Sequence, residues 1–275
     1  MAYELEDEFG DIIGKARRGN GLSLNQVANE AGITDVQLSQ MEAYTLKPTE
    51  DQVHKIANAL GLNGSKLADI AMERWAPVPV PSELDKKLDV ERISGDVGGY
   101  PVNAYLLICK ATKQTAVIDT AAHPNLILER IKEIGAEPAV ILLTHAHADH
   151  SDGLPELEKA TNCPTYIHAN EPKPRSSQQF RTLNHGDEVS VGELTVTTLD
   201  TPGHTPGGCS FYTGSVAAVG DAIFAGSVGG PKISYEDEIT SVRDHLLSLP
   251  DDVRLFPGHG PSTTVGEEKE HNPFF

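Results

Sequence analysis

The period of the hydrophobic positions changes along the chain, and the changes divide it. From residue 9 to 62 apolar residues recur at helical spacing, with Gly or Asn between the runs. Ser23 is placed to cap a helix carrying Leu24, Val27 and Ala28; Gly32 breaks it; Thr34 caps the next, with Val36, Leu38 and Met41. Helix, short glycine turn, helix is a helix-turn-helix outline. After Trp75 the run Ala76-Pro77-Val78-Pro79-Val80-Pro81-Ser82 cannot continue a helix and predicts an extended, semi-rigid spacer. These changes predict an all-α domain over 1–75, a proline-rich linker over 76–88 and a second domain over 89–275.

Beyond the linker, strand and helix patterns alternate, which predicts an α/β domain. Residues 104–108 and 115–119 read as paired strands, 125–134 as an amphipathic helix ending at Gly135, and 193–199 and 215–219 as further strands. The apolar run 140–144 is too short for a helix and reads as a buried strand. No internal repeat is visible.

That last strand leads into His145-Ala146-His147-Ala148-Asp149-His150, four metal-capable side chains in six residues. Packing gives no reason for such a cluster, whereas imidazole nitrogens and carboxylate oxygens are what divalent ions such as zinc bind. Three later turns add donors of the same kind: His204 in Thr201-Pro202-Gly203-His204, Asp221 after Val219-Gly220, and His259 in Phe256-Pro257-Gly258-His259-Gly260. Each follows an apolar run and sits beside glycine, where a strand end turns sharply. His54, His123, His168, His185, His245 and His271 lie outside this pattern and read as surface or supporting positions. Asp119, at a strand end, is placed to orient a ligand imidazole, and Cys209 reads as packed.

With this combination the sequence resembles the metallo-β-lactamase superfamily from about residue 103 to the C-terminus. The resemblance implies an αββα sandwich with the site along one edge. One metal would be held by His145, His147 and His204, the other by Asp149, His150 and His259, with Asp221 bridging. The implied cofactor is two divalent ions, zinc first, with iron or manganese as alternatives, and the implied nucleophile is a metal-bridging hydroxide beside Asp149, His150 and Asp221. The lactam-cleaving branch with a cysteine ligand would need Cys where Asp221 stands, which disfavours antibiotic hydrolysis.

The stretches Asn103-Ala104-Tyr105-Leu106, "THAHADH", "TPGHTPG" and "GDAIFAGSVG" resemble the glyoxalase II group most, implying hydrolysis of an acyl-glutathione thioester. Persulfide dioxygenases share nearly the same motif but use one iron at the positions of His145, His204 and Asp221. In glutathione-using relatives a basic residue commonly follows the bridging Asp by nine positions; here that position is Gly230. Lys232 and Tyr212 are the candidate substrate contacts, and another thioester, a lactone or a small ester is the alternative substrate.

The helical region, "GLSLNQVANEAGITDVQLSQMEAYTLKPTEDQVHKIANALGL", resembles the Cro-like phage-repressor family. That implies Thr34, Asp35, Gln37, Leu38 and Gln40 facing a major groove, and a third reading as a ligand-sensing transcriptional regulator. Charge opposes it. The chain carries a formal −18, and residues 1–70 hold six Lys and Arg against eleven Asp and Glu, none of the basic residues on the recognition helix. The same charge disfavours anionic membranes, and no run approaches membrane-spanning length. The acidic Met1-Ala2-Tyr3-Glu4-Leu5-Glu6-Asp7-Glu8 lacks a signal-peptide pattern, and three cysteines without CxxC spacing fit a reducing compartment, so a cytoplasmic protein, a small-molecule substrate and a homo-oligomer are within the expectation.

Overall fold

The computed structural model describes residues 5–81, 83 and 85–275. The first residues of the acidic N-terminus, and Ser82 and Leu84 of the linker, lie outside the described residues.

The helical region folds as five helices: α1 (Phe9–Gly19), α2 (Leu24–Ala31), α3 (Asp35–Glu42), α4 (Glu50–Leu60) and α5 (Gly64–Ala71). Ser23 and Thr34 cap α2 and α3 with reciprocal capping boxes, and Gly32 terminates α2 at φ +70°, a conformation only glycine adopts without strain. Ile12, Ile13, Val27, Leu38, Met41, Val53, Ile56 and Leu67 fill the core between them.

The second domain has two six-stranded sheets. The first runs β1 (Leu88–Val97), β2 (Tyr100–Cys109), β3 (Gln114–Ile118), β4 (Glu137–Leu142), β5 (Thr165–His168) and β6 (Arg181–Leu183), in that spatial order. Its helices are α6 (Pro124–Ile134), the single turn α7 (Ala148–Ser151) and α8 (Leu154–Thr161). The second sheet uses β7 (Glu188–Val191), β8 (Leu194–Asp200), β9 (Cys209–Tyr212) and β10 (Val216–Gly220). A two-stranded ribbon follows, β11 (Ile223–Phe224) and β12 (Ser227–Val228), then α9 (Tyr235–Ser241) with a wider π turn after it, β13 (Arg254–Pro257), β14 (Thr263–Thr264) and α10 (Val265–His271). Spatial order in this sheet is β14-β13-β10-β9-β8-β7.

Period-2 alternation explains the layers. Tyr105, Leu107, Ile118 and Leu142 point inward and meet Val191, Val196, Phe211, Ala218 and Phe256 between the sheets. Their neighbours Leu106, Val117 and Ile141 point outward under α6 and α8, while Ala217, Val219 and Leu255 pack under the π turn and α10. The result is the expected αββα sandwich. The expected strand pair is β2 with β3, Tyr105 opposite Ile118, and the expected helix ends at Gly135 in the left-handed conformation. The run 140–144 is strand only to Leu142; Leu143 and Thr144 already turn toward the site. β1, which the periodicity did not single out, has few buried positions because it is an edge strand.

The linker is extended but it is not a free spacer. Val78 donates its N–H to Glu267 at 2.6 Å, and Arg254 donates to the Val78 carbonyl at 2.9 Å. The domains also share a core: Val228 and Phe274 of the second domain join the helical cluster, with Tyr235, Ile239 and Phe275 packed against it. Asn63 donates its N–H to the Pro273 carbonyl, and Trp75 stacks on His271 at 4.9 Å between centroids. The proline run predicted separation; the apolar C-terminal tail against α1 and α5 overrides it.

Candidate metal centre

Every residue of the predicted donor set stands at one edge of the sandwich. His145, His147, Asp149 and His150 follow β4; His204 follows β8; Asp221 follows β10; His259 follows β13. Two groups form. Donor atoms of His145, His147, His204 and Asp221 lie within 4.8 Å of one another, as do those of Asp149, His150 and His259. Asp221 touches both, with Oδ1 3.3 Å from His150 Nε2 and Oδ2 3.4 Å from His204 Nε2 and 3.6 Å from His259 Nε2. His145, His150 and Asp221 are buried, whereas His147, Asp149 and His259 are half-buried and form the open side.

Three of the imidazoles are oriented from behind. Asp119, held at φ +58°, accepts at Oδ2 from His150 Nδ1 at 2.9 Å and from the Thr144 hydroxyl at 2.7 Å, and at Oδ1 from the Thr144 N–H. The Gly230 carbonyl accepts from His204 Nδ1 at 2.8 Å, and the Pro101 carbonyl from His259 Nδ1 at 2.7 Å. This fixes which ring nitrogen faces the cluster. Asn103 and Tyr105 hold the His259 loop, donating to the Pro257 carbonyl at 3.2 and 2.6 Å. Only glycine fits at 258, where a Cβ would lie 2.4 Å from Asp221 Oδ1.

Some parts had no sequence signal. Glu171, buried, accepts from the Ala146 and Gly207 N–H groups at 2.9 and 2.8 Å and so ties the histidine-rich loop to the His204 loop. It lies after β5, three residues past His168, outside the histidine-rich motif and the glycine turns that flag the donors. Glu238 on α9 is buried behind the cluster with both carboxyl oxygens unpartnered, and burial pushes its carboxyl up to about 9.

Three buried atoms facing the cluster, His145 Nε2, His150 Nε2 and Asp221 Oδ1, make no hydrogen bond. Buried polar atoms are rarely left so, and these converge where a cation would satisfy all of them. The electrostatics agree. Burial and the neighbouring imidazoles hold His145 well below the usual histidine range, and burial takes His204 down to about 4, leaving neutral rings with lone pairs to offer. Burial would raise Asp221, but His150, His145 and His259 outweigh it and keep the carboxylate well below its ordinary range. His150 is the exception: burial lowers it, yet Asp221 and Asp119 together carry it well above. A nitrogen and oxygen donor set of this kind suits zinc, iron or manganese.

The other predicted residues divide. Lys232 follows the Gly230 carbonyl that receives His204, and its charge helps to depress His147 and His204, so it stands on that rim. Tyr212 does not reach the site: it lies at the end of β9 away from Cys209, paired to Thr197 and Ala217, and donates its hydroxyl to the Gly214 carbonyl. Leu38 is fully buried in the helical core, so it cannot face a groove; its i, i+3 spacing to Met41 is a core stripe. Thr34 and Gln37 engage each other in the capping box of α3, and Gln40 is exposed. Cys109, Cys163 and Cys209 are free and buried, and burial pushes the Cys209 thiol up. Among the described residues no helix is long and apolar enough to cross a membrane.

Comparison with known proteins agrees with this geometry. The family profile described as Metallo-beta-lactamase superfamily matches residues 97–259, and one described as Helix-turn-helix matches 13–67. The chain is 35% identical to a probable metallo-hydrolase, YqgX, of Bacillus subtilis, over 65% of its own length and 94% of that protein's. It is 31% identical to the hydroxyacylglutathione hydrolase GloC of Haemophilus influenzae, over 63% and 95%. A solved structure described as TTHA1623 in a di-iron-bound form superposes with a TM-score of 0.57 at 32% identity, covering 66% of this chain and all of that one. The chain belongs to the metallo-beta-lactamase superfamily, as a metallo-hydrolase that carries an N-terminal Cro-like helix-turn-helix domain.

Proposed function

We propose that this protein is a dinuclear metallohydrolase acting on small thioesters or esters in the manner of glyoxalase II. The observation that carries the reading is Asp221, whose carboxylate reaches donors of both groups, Oδ1 toward His150 and Oδ2 toward His204 and His259. His145, His147 and His204 would hold one ion, Asp149, His150 and His259 the other, and Asp221 would bridge them. Bound divalent ions supply a water with pKa lowered to about 7 and an electrophile for the substrate carbonyl. The chain's own residues do the rest. Asp119 keeps His150 Nε2 aimed inward, the Gly230 carbonyl does the same for His204, and the shared carboxylate offsets repulsion between like charges. Half-buried Asp149 stands at the opening with its Oδ2 3.3 Å from His259 Nε2, where it would help hold the second ion on the side a substrate enters.

Likeness to the Haemophilus hydrolase supports a thioester, while Gly230 in place of a basic residue argues against strict use of glutathione. Lys232, two residues on, is the cation we assign to an anionic part of the substrate. Likeness to a solved structure described as ETHE1 from Myxococcus xanthus, with a TM-score of 0.59 at 28% identity, supports testing a second reading, a dioxygenase with one iron at His145, His204 and Asp221. That reading leaves the convergence of Asp149, His150 and His259 without a task. DNA is not part of the proposal: Lys15, Arg17, Lys55 and Lys66 are committed to Asp7, Glu42, Asp51 and the C-terminal backbone.

Elemental analysis of the full chain as purified, with hydrolysis of acyl-glutathione and acyl-N-acetylcysteamine thioesters, tests this. Two ions per chain and thioester cleavage are expected. One iron per chain, with oxygen uptake on glutathione persulfide and no cleavage, would overturn it.

A further inference from the structure

One segment of the helical domain packs against the loop that carries a predicted metal ligand. The segment before α1 runs against the loop that carries His259. A Cβ on Gly260 would lie 2.8 Å from the Glu6 Cβ and 3.1 Å from its amide nitrogen, so a glycine beside His259 is what lets the segment approach. Glu6 is half-buried there; burial raises its carboxyl, and the charge of His259, the residue next to Gly260, opposes that rise.

The segment is anchored. Asp7 pairs with Lys15 of α1, and Lys15 donates to the Val228 carbonyl at 2.8 Å and sits 4.8 Å over the Phe224 ring. Phe224 in turn packs edge-on to the His259 ring at 5.8 Å between centroids. A cation–π contact and an edge-on ring pair thus connect α1 to a predicted metal ligand. On the other side, exposed Lys232 lies two residues past the Gly230 carbonyl that accepts from His204. The rim therefore carries an ammonium beside His204 and a carboxylate beside His259, each contributed by a different domain.

We propose that Glu6 is a specificity-determining residue of the metal site, disfavouring an anionic and favouring a cationic or hydrogen-bond-donating substrate group beside His259. This rests on the metal-site reading above and extends it: the helical domain builds part of the substrate rim, whatever else it binds. A substrate with both charges would place its anion toward Lys232 and its cation toward Glu6.

The test is calorimetric and independent of turnover. Zinc-loaded full-length protein is titrated at low salt with three thiols of similar size: cysteamine (cationic), N-acetylcysteamine (neutral) and 3-mercaptopropionate (anionic). In Glu6→Lys the affinity of the anionic thiol relative to the cationic one rises by about tenfold, and in Glu6→Gln by about threefold, as expected for one or two charges at a partly screened site. The neutral thiol shifts by less than about twofold, and high salt shrinks the ratio. A ratio within twofold of wild type in Glu6→Lys, with zinc content and neutral-thiol affinity retained, overturns the proposal; should Glu6→Lys fold poorly, an unchanged ratio in Glu6→Gln does the same. Loss of thioester hydrolysis in the wild type would sink the hydrolase reading alone, since the thiol ratio still decides the role of Glu6.

Discussion

The loop after β4 and the start of α3 are both short polar stretches presented at the end of a regular element, and they use their side chains in opposite ways. In the loop, His145, His147, Asp149 and His150 turn toward donors from three other strand ends. Three buried atoms of that cluster are left without hydrogen bonds, although Asp119, Glu171 and the Gly230 carbonyl satisfy the groups behind them. In α3 the polar groups are satisfied locally. Thr34 and Gln37 close a capping box, Asp35 accepts from the Val36 N–H at 2.9 Å, and Leu38 turns inward. Leaving buried polar atoms unpartnered costs free energy that a bound ion or ordered water returns. By that criterion the loop awaits a partner and the helix does not.

The comparison breaks first at Asp221. Asp221→Ala removes the one group common to both halves, and a fall on the order of 10³-fold in kcat/KM is expected, from about 4 kcal/mol lost when a buried charge loses its partners. Metal content should fall from two ions toward one or none. Retention of two ions and of a tenth or more of the activity would show that the halves do not depend on Asp221. On the α3 side the largest effect belongs to a residue that reads no DNA. Leu38→Ala should destabilise the protein by about 3 kcal/mol in chemical denaturation, as expected for an emptied core site. Because Val228 and Phe274 share that core, the loss is expected in one transition for both domains. Two separate transitions would show the domains to be independent.

Asp119 sharpens the comparison at smaller scale. Asn keeps the left-handed backbone that Asp119 adopts at φ +58° and removes only the charge behind His150. Asp119→Asn should weaken metal binding by about tenfold in chelator competition, the low end for an orienting carboxylate. An unchanged affinity would mean that the Thr144 hydrogen bonds hold the loop alone.

What could be read from the chain follows the same division. The donor set was legible because metal chemistry restricts residue types: His145 to His259 are spread over 115 positions, yet each stands in a turn after a strand or on α7, the single helical turn after β4. Caps and turns were legible for a similar reason, since Ser23, Gly32 and Gly135 do locally what their chemistry favours. Glu171, Glu6 and the shared core were not. Their partners lie far off in sequence, and an isolated glutamate or a C-terminal Phe274-Phe275 carries no periodicity that says what it will meet. Leu38 follows its i, i+3 core spacing to Met41 rather than the recognition-helix pattern, and Tyr212, named as a substrate contact, instead pairs with Thr197 and Ala217 at the far end of β9.

The smallest effect is expected at Gln40, which with Asp35 is exposed and outside the capping box and which, unlike Asp35, carries no charge to repel a phosphate. Gln40→Ala should leave stability within about 0.5 kcal/mol, as for a surface position without a fixed partner. Its bearing on DNA is decided by charge rather than by its own amide. Specific readout needs phosphate contacts to hold the helix in the groove, and each adds about −0.9 to the slope of log K against log salt. Arg17 is held by Glu42, Lys55 by Asp51, and Lys15 and Lys66 by the domain interface, so few cations remain to supply that slope. Mobility-shift titrations with mixed-sequence duplex should give a slope no steeper than about −1. A slope near −4 that Gln40→Ala leaves intact while relaxing sequence preference would show α3 to be a working reader, and the contrast with the metal loop would then be one of ligand rather than of readiness to bind.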